Sequence, residues 1–131
     1  MRNILLSFFL IALMFTSCKQ NHTSEVVNVV SPEEMKTLLE LEDIQLIDVR
    51  TAQEYSEGHI DNAQNIDYFS ETFEADIAKL DKNKPVIVYC KSGNRSAKCA
   101  KKMEEAGFVK IYDLDGGISK WRHEGNTITQ N

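Results

Sequence analysis

Cysteine is scarce in this chain of 131 residues: there are three, Cys18, Cys90 and Cys99, and none belongs to a C-x-x-C pair. No Cys/His cluster has the ligand count of a zinc centre, so no metal is expected. A Cys90–Cys99 disulfide is not expected either, because their neighbours place them at different heights on a loop and the helix after it, and a bridge needs facing Cβ vectors. Basic residues are in deficit, 15 against 20 acidic, for a formal net charge of −5. A chain with that balance lacks the basic face that phosphate backbones require, which excludes nucleic acid as a partner. Long apolar runs are also missing. The longest, Ile4 to Phe15, is interrupted at Ser7 and as a helix rises only about 18 Å, against roughly 30 Å of bilayer hydrocarbon. Internal repeats and low-complexity tracts are absent as well.

What is present at the start reads as an address. Arg2 precedes the apolar run, and small residues Thr16 and Ser17 precede Cys18, the layout of a secretory signal over residues 1–17. Thr16-Ser17-Cys18 resembles the lipobox of bacterial lipoproteins, although Phe15 replaces the usual aliphatic residue. The resemblance implies lipidation of Cys18 by fatty acids such as palmitate. It also implies an extracytoplasmic place in a bacterial cell envelope, with the membrane as a partner. Residues 18–28 are expected to form the lipidated cysteine and a flexible tether, His22 included.

From Val29 to Ile128 the chain alternates between short β-rich runs and helical segments. Val29-Val30, Ile44 to Val49, Ala63 to Ile66, Val86 to Tyr89 and Phe108 to Tyr112 read as extended. Ser31-Pro32-Glu33-Glu34 and Thr51-Ala52-Gln53-Glu54 carry capping-box spacing at helix starts. The first helix buries Met35, Leu38 and Leu39, and the short second one stops at Gly58. Phe73, Ile77 and Leu80 share a helical face, Ser96 to Ala106 is helical, and Ile118 to His123 is a last short helix. Val86-Ile87-Val88-Tyr89 is apolar on both faces, the mark of a central strand in a parallel sheet. The expected fold is therefore α/β, a central parallel sheet with helices on both faces.

In open α/β sheets, ligands bind beyond the carboxyl ends of the strands. Cys90 sits there, and Cys90-Lys91-Ser92-Gly93-Asn94-Arg95-Ser96 joins that strand end to a helix. Such a loop turns backbone N–H groups inward and adds the helix's positive end, a nest for an anion. A cysteine over the nest becomes a thiolate, the nucleophile for sulfur chemistry. Gly93 allows the tight closure, and Lys91 and Arg95 add charge able to dock an anionic donor.

The loop resembles the active-site loop of single-domain rhodaneses, a Cys, four residues and an Arg. Leu46 to Ile60 (LIDVRTAQEYSEGHI) is similar to that family's DVR…EY…GHI block, Ala63 to Ile66 to its A-x-N-I, and Gly116 to Trp121 to its closing GG…W. The resemblance spans about Val29 to Gly125 and implies a rhodanese-like fold over 29–128 with a ping-pong sulfurtransferase activity needing no cofactor. Cys90 would be the catalytic residue, passing a persulfide sulfur from a small anionic donor, thiosulfate foremost, to a thiol or cyanide acceptor. Lys91, Ser92, Gly93, Asn94, Arg95 and Ser96 would bind substrate. The four-residue spacing separates the loop from the five-residue loops of dual-specificity phosphatases. The alternative is a non-catalytic sulfur relay, sensor or binding module on the same loop.

Other residues take plainer readings. Asp48 and Arg50 are expected to pair and support the site. His59 is expected to be structural, because thiolate chemistry needs no base. Cys99 is expected in the core with Met103 and Ala106, with a resolving thiol as the functional alternative. Trp121 is expected as a core anchor, and Lys98, Lys101, Lys102, Glu104 and Glu105 as a solvated helix face. Asn62 stands where relatives of this family usually have Gly.

Overall fold

The computed structural model describes residues 24–41 and 43–130. The expected signal segment, Cys18 and the tether as far as residue 23 lie outside them. Five parallel strands, β1 (Val27–Val30), β2 (Gln45–Asp48), β3 (Gln64–Asn65), β4 (Val86–Tyr89) and β5 (Ile111–Leu114), form one sheet in the order β1-β5-β4-β2-β3. Helices α1 (Pro32–Leu41), α2 (Ala52–Glu57), α3 (Phe73–Ala78), α4 (Asn94–Glu105) and α5 (Gly117–His123) connect and cover it.

β4 occupies the centre, and all four of its residues are buried. Its period-2 alternation divides the core. Val86 and Val88 pack with Phe73 and Ile77 of α3 and with Cys99 and Met103 of α4. Ile87 and Tyr89 pack with Met35 of α1 and with Ile118 and Trp121 of α5. Helices therefore cover both faces, and the strand's last side chains point toward opposite layers.

Both expected capping boxes form. Glu34 N donates to Ser31 Oγ at 3.2 Å and Ser31 N to Glu34 Oε2 at 2.7 Å. Thr51 and Glu54 exchange the same pair of bonds. Asn62 adopts φ 63° in the turn before β3. Asn tolerates that left-handed conformation, so it replaces the family's glycine without loss of the turn.

Three elements have ends that differ from expectation by two residues or more. β1 begins at Val27, so residues 27 and 28, read as tether, pair in the sheet with Ile111 and Tyr112. An edge strand buried on one side carries no continuous apolar run to betray its start. The last strand runs from Ile111 to Leu114 rather than from Phe108 to Tyr112. Phe108 belongs instead to the end of α4: Phe108 N donates to Met103 O and Gly107 N to Glu104 O, a Schellman closure with Gly107 at φ 93°. At its other end the strand continues through Asp113, a residue type that strand propensity disfavours. α4 starts at Asn94, two residues before the expected Ser96.

Gly117 shows where backbone meets backbone. At φ 58° a Cβ there would lie 2.5 Å from Cys90 O and 2.6 Å from Lys91 O, whereas one on Gly107 would meet nothing within 4 Å. Gly117→Ala is expected to cost about 3 kcal/mol or more, combining left-handed strain with overpacking. Gly107→Ala should cost only about 1–2 kcal/mol. Urea unfolding of the two variants checks this, and equal losses would refute a tight contact at Gly117.

Candidate active site

Cys90 follows the last residue of β4 and is 1% exposed. Its side chain lies in the α3/α4 layer, under the N-terminus of α4. Gly93 N donates to Sγ at 3.1 Å, and Ser96 Oγ lies 3.5 Å from it. Burial pushes the thiol up, but the Ser96 hydroxyl and the amides of Ser96, Gly93 and Ser92 outweigh it, leaving Cys90 below the ordinary thiol value. A 12-residue helix beginning at Asn94 adds its positive end to the same point. Gly93, the residue before it, takes φ 114°, which only glycine adopts without strain.

The loop is fixed from three sides. Beneath it, Ile118 N donates to Cys90 O at 2.9 Å and Ser119 N to Lys91 O at 3.0 Å, which explains why Gly117 must lack a side chain. Within it, when Cys90 is a thiol, Sγ donates to Ser96 Oγ and that hydroxyl donates to Gly93 O at 3.2 Å; in the thiolate the same proton is free to turn to Sγ. Beside it, the Arg95 guanidinium donates through both nitrogens to Glu54, at 2.7 and 2.9 Å, and lies 6.0 Å from the Phe69 ring centroid. The Arg95 pair and the Thr51 cap hold Glu54 at about 2, well under the usual carboxylate range.

The seven sequence-predicted loop residues are thus brought together in different roles. Cys90, Ser92, Gly93 and Ser96 form the cradle. Asn94 opens α4 from an exposed position. Arg95, expected to dock an anionic donor, is committed to Glu54 and braces the loop. Lys91 lines a cleft of about 350 Å³ together with Arg50, Glu54, Glu57, Ser119 and Arg122.

Asp48 and Arg50 form a buried pair at 2.7 Å, and Arg50 Nη2 also donates to Gly58 O at 2.6 Å. This ties the end of β2 to the end of α2. Asn65 Nδ2 bonds both Asp48 O and Arg50 O, at 3.0 and 2.9 Å. His59 stacks on Tyr55 at 3.8 Å and its backbone bridges to Thr129. Cys99 is fully buried, is pushed up to about 12 by burial, and is a free thiol, as is Cys90. That is the state of an inert core cysteine. Trp121 is buried with its Nε1 donating to Thr127 O at 2.8 Å.

Sequence reasoning missed two residues. Glu54 was legible only as a helix cap, since nothing local predicts a partner 41 positions away. Asp113 sits on β5, 7% exposed, facing Ser96 with Oδ1 unpartnered. A short strand containing Asp gives no signal that its carboxyl is inward.

A cysteine whose thiol is drawn below its ordinary value by loop amides, at the carboxyl edge of a parallel α/β sheet, has the surroundings of a sulfur nucleophile. The Rhodanese-like domain profile matches residues 31–124. The chain is 34% identical over 97 residues to the thiosulfate sulfurtransferase GlpE of Shewanella oneidensis, covering 74% of this chain and 93% of that one. Against the protein of the same name from Pseudomonas aeruginosa PAO1 it is 36% identical over 100 residues, covering 76% and 87%. Among solved structures, a rhodanese-related protein from Thermoplasma volcanium superposes with TM-score 0.71 at 26% identity, covering 79% of this chain and 99% of that one. The polysulfide-sulfur transferase homodimer from Wolinella succinogenes gives TM-score 0.67 at 38% identity, covering 81% and 80%. The chain belongs to the rhodanese-like family.

Burial pushes the Asp113 carboxyl up to about 6, with the Ser96 hydrogen bond opposing it. A folded value above the unfolded one means that the native state holds the proton more tightly. Its contribution is complete below about pH 4 and is lost as pH rises through 6, about 3 kcal/mol for two units. Asp113→Asn is therefore expected to be more stable than wild type by about 2 kcal/mol at pH 7.5, with the gap closing by pH 4. Urea midpoints at the two pH values check it, and a gap independent of pH would refute it.

Proposed function

We propose that the protein is a thiosulfate-type sulfurtransferase working through a Cys90 persulfide. The observation that carries the reading is Sγ held at the α4 N-terminus by the Gly93 amide and the Ser96 hydroxyl. In the first half-reaction the Cys90 thiolate attacks the outer sulfur of thiosulfate. The sulfur–sulfur bond breaks and sulfite departs with the electron pair. The new outer sulfur carries the negative charge, which the cradle amides stabilise as they did the thiolate. In the second half-reaction cyanide or a thiolate attacks that sulfur, and Cys90 leaves as the regenerated thiolate. No metal or cofactor takes part in either step.

Polysulfide is a second candidate donor, favoured by the 38% identity to the Wolinella polysulfide-sulfur transferase. The same thiolate attack on a terminal sulfur would serve it. The support for a lipid anchor at Cys18, and with it an extracytoplasmic envelope location, is the sequence from Arg2 through the Ile4–Phe15 run to Thr16-Ser17-Cys18.

Intact-mass analysis of the purified protein after thiosulfate should show the gain of one sulfur atom. The gain should be absent in Cys90→Ser and reversed by cyanide with release of thiocyanate. A folded, reduced wild type that gains sulfur from polysulfide but not from thiosulfate would transfer the reading to the second donor. No gain from either would overturn it. For the anchor, Cys18→Ser is expected to move the protein from the detergent-rich to the aqueous phase in detergent partitioning of expressing bacteria, and unchanged partitioning would contradict lipidation there.

A further inference from the structure

Asp113 pairs in register with Val88, two residues before Cys90. Strand alternation puts its side chain on the same face of the sheet as Ile111, Val88 and Cys90, the face that α4 covers. There it is 7% exposed, its Oδ1 has no hydrogen-bond partner, and it shares a hydrogen bond with the Ser96 side chain. Ser96 is itself fully buried, and its Oγ lies 3.5 Å from Cys90 Sγ and 3.2 Å from Gly93 O. One hydroxyl therefore stands between the reacting sulfur and a carboxyl that the cradle does not otherwise use.

A serine hydroxyl has one proton to give and lone pairs with which to accept. Gly93 O only accepts, and so do a thiolate and a carboxylate. With Cys90 and Asp113 both ionised, three acceptors compete for one proton, and what the carboxylate takes is lost to the sulfur. With Asp113 neutral the count reverses: the carboxyl O–H donates to Ser96 Oγ, and the Ser96 proton is left for Sγ. Hydrogen bonds chained in this way strengthen one another. β5 packs against β1, β4 and α4. Among the described residues facing Asp113, β1 and β4 offer Val29 and Val88 from the paired positions, and α4 offers Ser96 and the Cys99 thiol. Its own strand end adds Asp115. No cation stands among them to hold the carboxylate in place of the Ser96 proton.

We propose that Asp113 is a positioning residue for Cys90: in its neutral form it donates to Ser96 Oγ and so commits the Ser96 hydroxyl to the sulfur. The proposal rests on the reading of Cys90 as the sulfur nucleophile and names what regulates it. Burial pushes Asp113 up to about 6, so the switch falls just below neutrality. As pH rises through that value the carboxylate draws the Ser96 proton, and Cys90 becomes harder to ionise. As pH falls through it the hydroxyl returns to the sulfur, and Cys90 becomes easier to ionise. By reciprocity a Cys90 thiolate raises the proton affinity of Asp113 by the same factor.

The test alkylates the full chain with iodoacetamide across pH and follows Cys90 by peptide mass mapping. In wild type the logarithm of the rate should climb with unit slope on either side of about pH 6. Above that pH it should lie about threefold below the line extrapolated from lower pH. The thiolate fraction falls about tenfold there, offset in part by the greater nucleophilicity of a more basic thiolate. Asp113→Asn, whose amide can donate to Ser96 at every pH, should give an unbroken line. Its Cys90 midpoint should lie about one pH unit lower, the low end for a hydrogen bond to a charged group. In a Ser96→Ala background the same change at position 113 should move the midpoint by no more than about 0.3 units. An unbroken wild-type line with an unmoved midpoint in Asp113→Asn would overturn the proposal. An equal shift without Ser96 would also overturn it, because charge acting through space would then suffice. Persulfide formation from thiosulfate is measured separately on the same proteins. Its complete absence beside the expected profiles would leave Asp113 its role and sink the sulfurtransferase reading instead.

Discussion

The structure is organised around one buried sulfur whose loop favours its negative charge against burial. Desolvation works against a thiolate at a site 1% exposed, and on its own would leave Cys90 an inert core thiol like Cys99. The difference between the two cysteines, nine residues apart, is local hydrogen bonding. Cys99 lies in a cluster with Met103, Phe108 and Ile111, and burial governs it. Cys90 sits where a strand has ended and a helix has not begun, so its surroundings include N–H groups that no carbonyl of the helix claims.

That arrangement persists because the loop's shape is over-determined. A tight loop rich in inward N–H groups has no ladder of its own, and its geometry comes from elements remote in sequence. The α5 N-terminus holds the loop from below with two amides, and the close approach requires Gly117. α2 contributes Glu54, which closes its own capping box and simultaneously clamps Arg95. α2 is in turn held by Arg50, whose buried pair with Asp48 reaches Gly58 O. Truncating one member of such a buried pair leaves the other charge stranded, a loss of about 3–5 kcal/mol. The support of the site is thus a chain of charged contacts running from β2 through α2 to the loop.

Much of this was legible in the sequence where local rules suffice. The uninterrupted Val86–Tyr89 run fixed a central parallel strand, the two capping boxes fixed helix starts, and Cys90 with Gly93 and the four-residue gap to Arg95 fixed the cradle. Lys91 and Arg95 are long side chains whose direction depends on partners elsewhere. Arg95 finds Glu54 across the fold, and Lys91 lines a cleft with Ser119 and Arg122 of α5. Asp113 and the start of β1 escaped because strand propensity describes a half-buried pleated surface and not a particular polar side chain turned inward. The family resemblance supplied the order of blocks, but not the contact that ties Arg95 to Glu54.

The central claim, that amides and a hydroxyl favour the Cys90 thiolate despite burial, is tested most directly by its rate of alkylation by iodoacetamide against pH, with each cysteine resolved by peptide mass mapping. The account predicts a Cys90 profile with its midpoint below the ordinary thiol value of about 8.5 and Cys99 silent over the same range. A Cys90 midpoint at or above that value, or Cys99 reacting alongside it, would contradict the account.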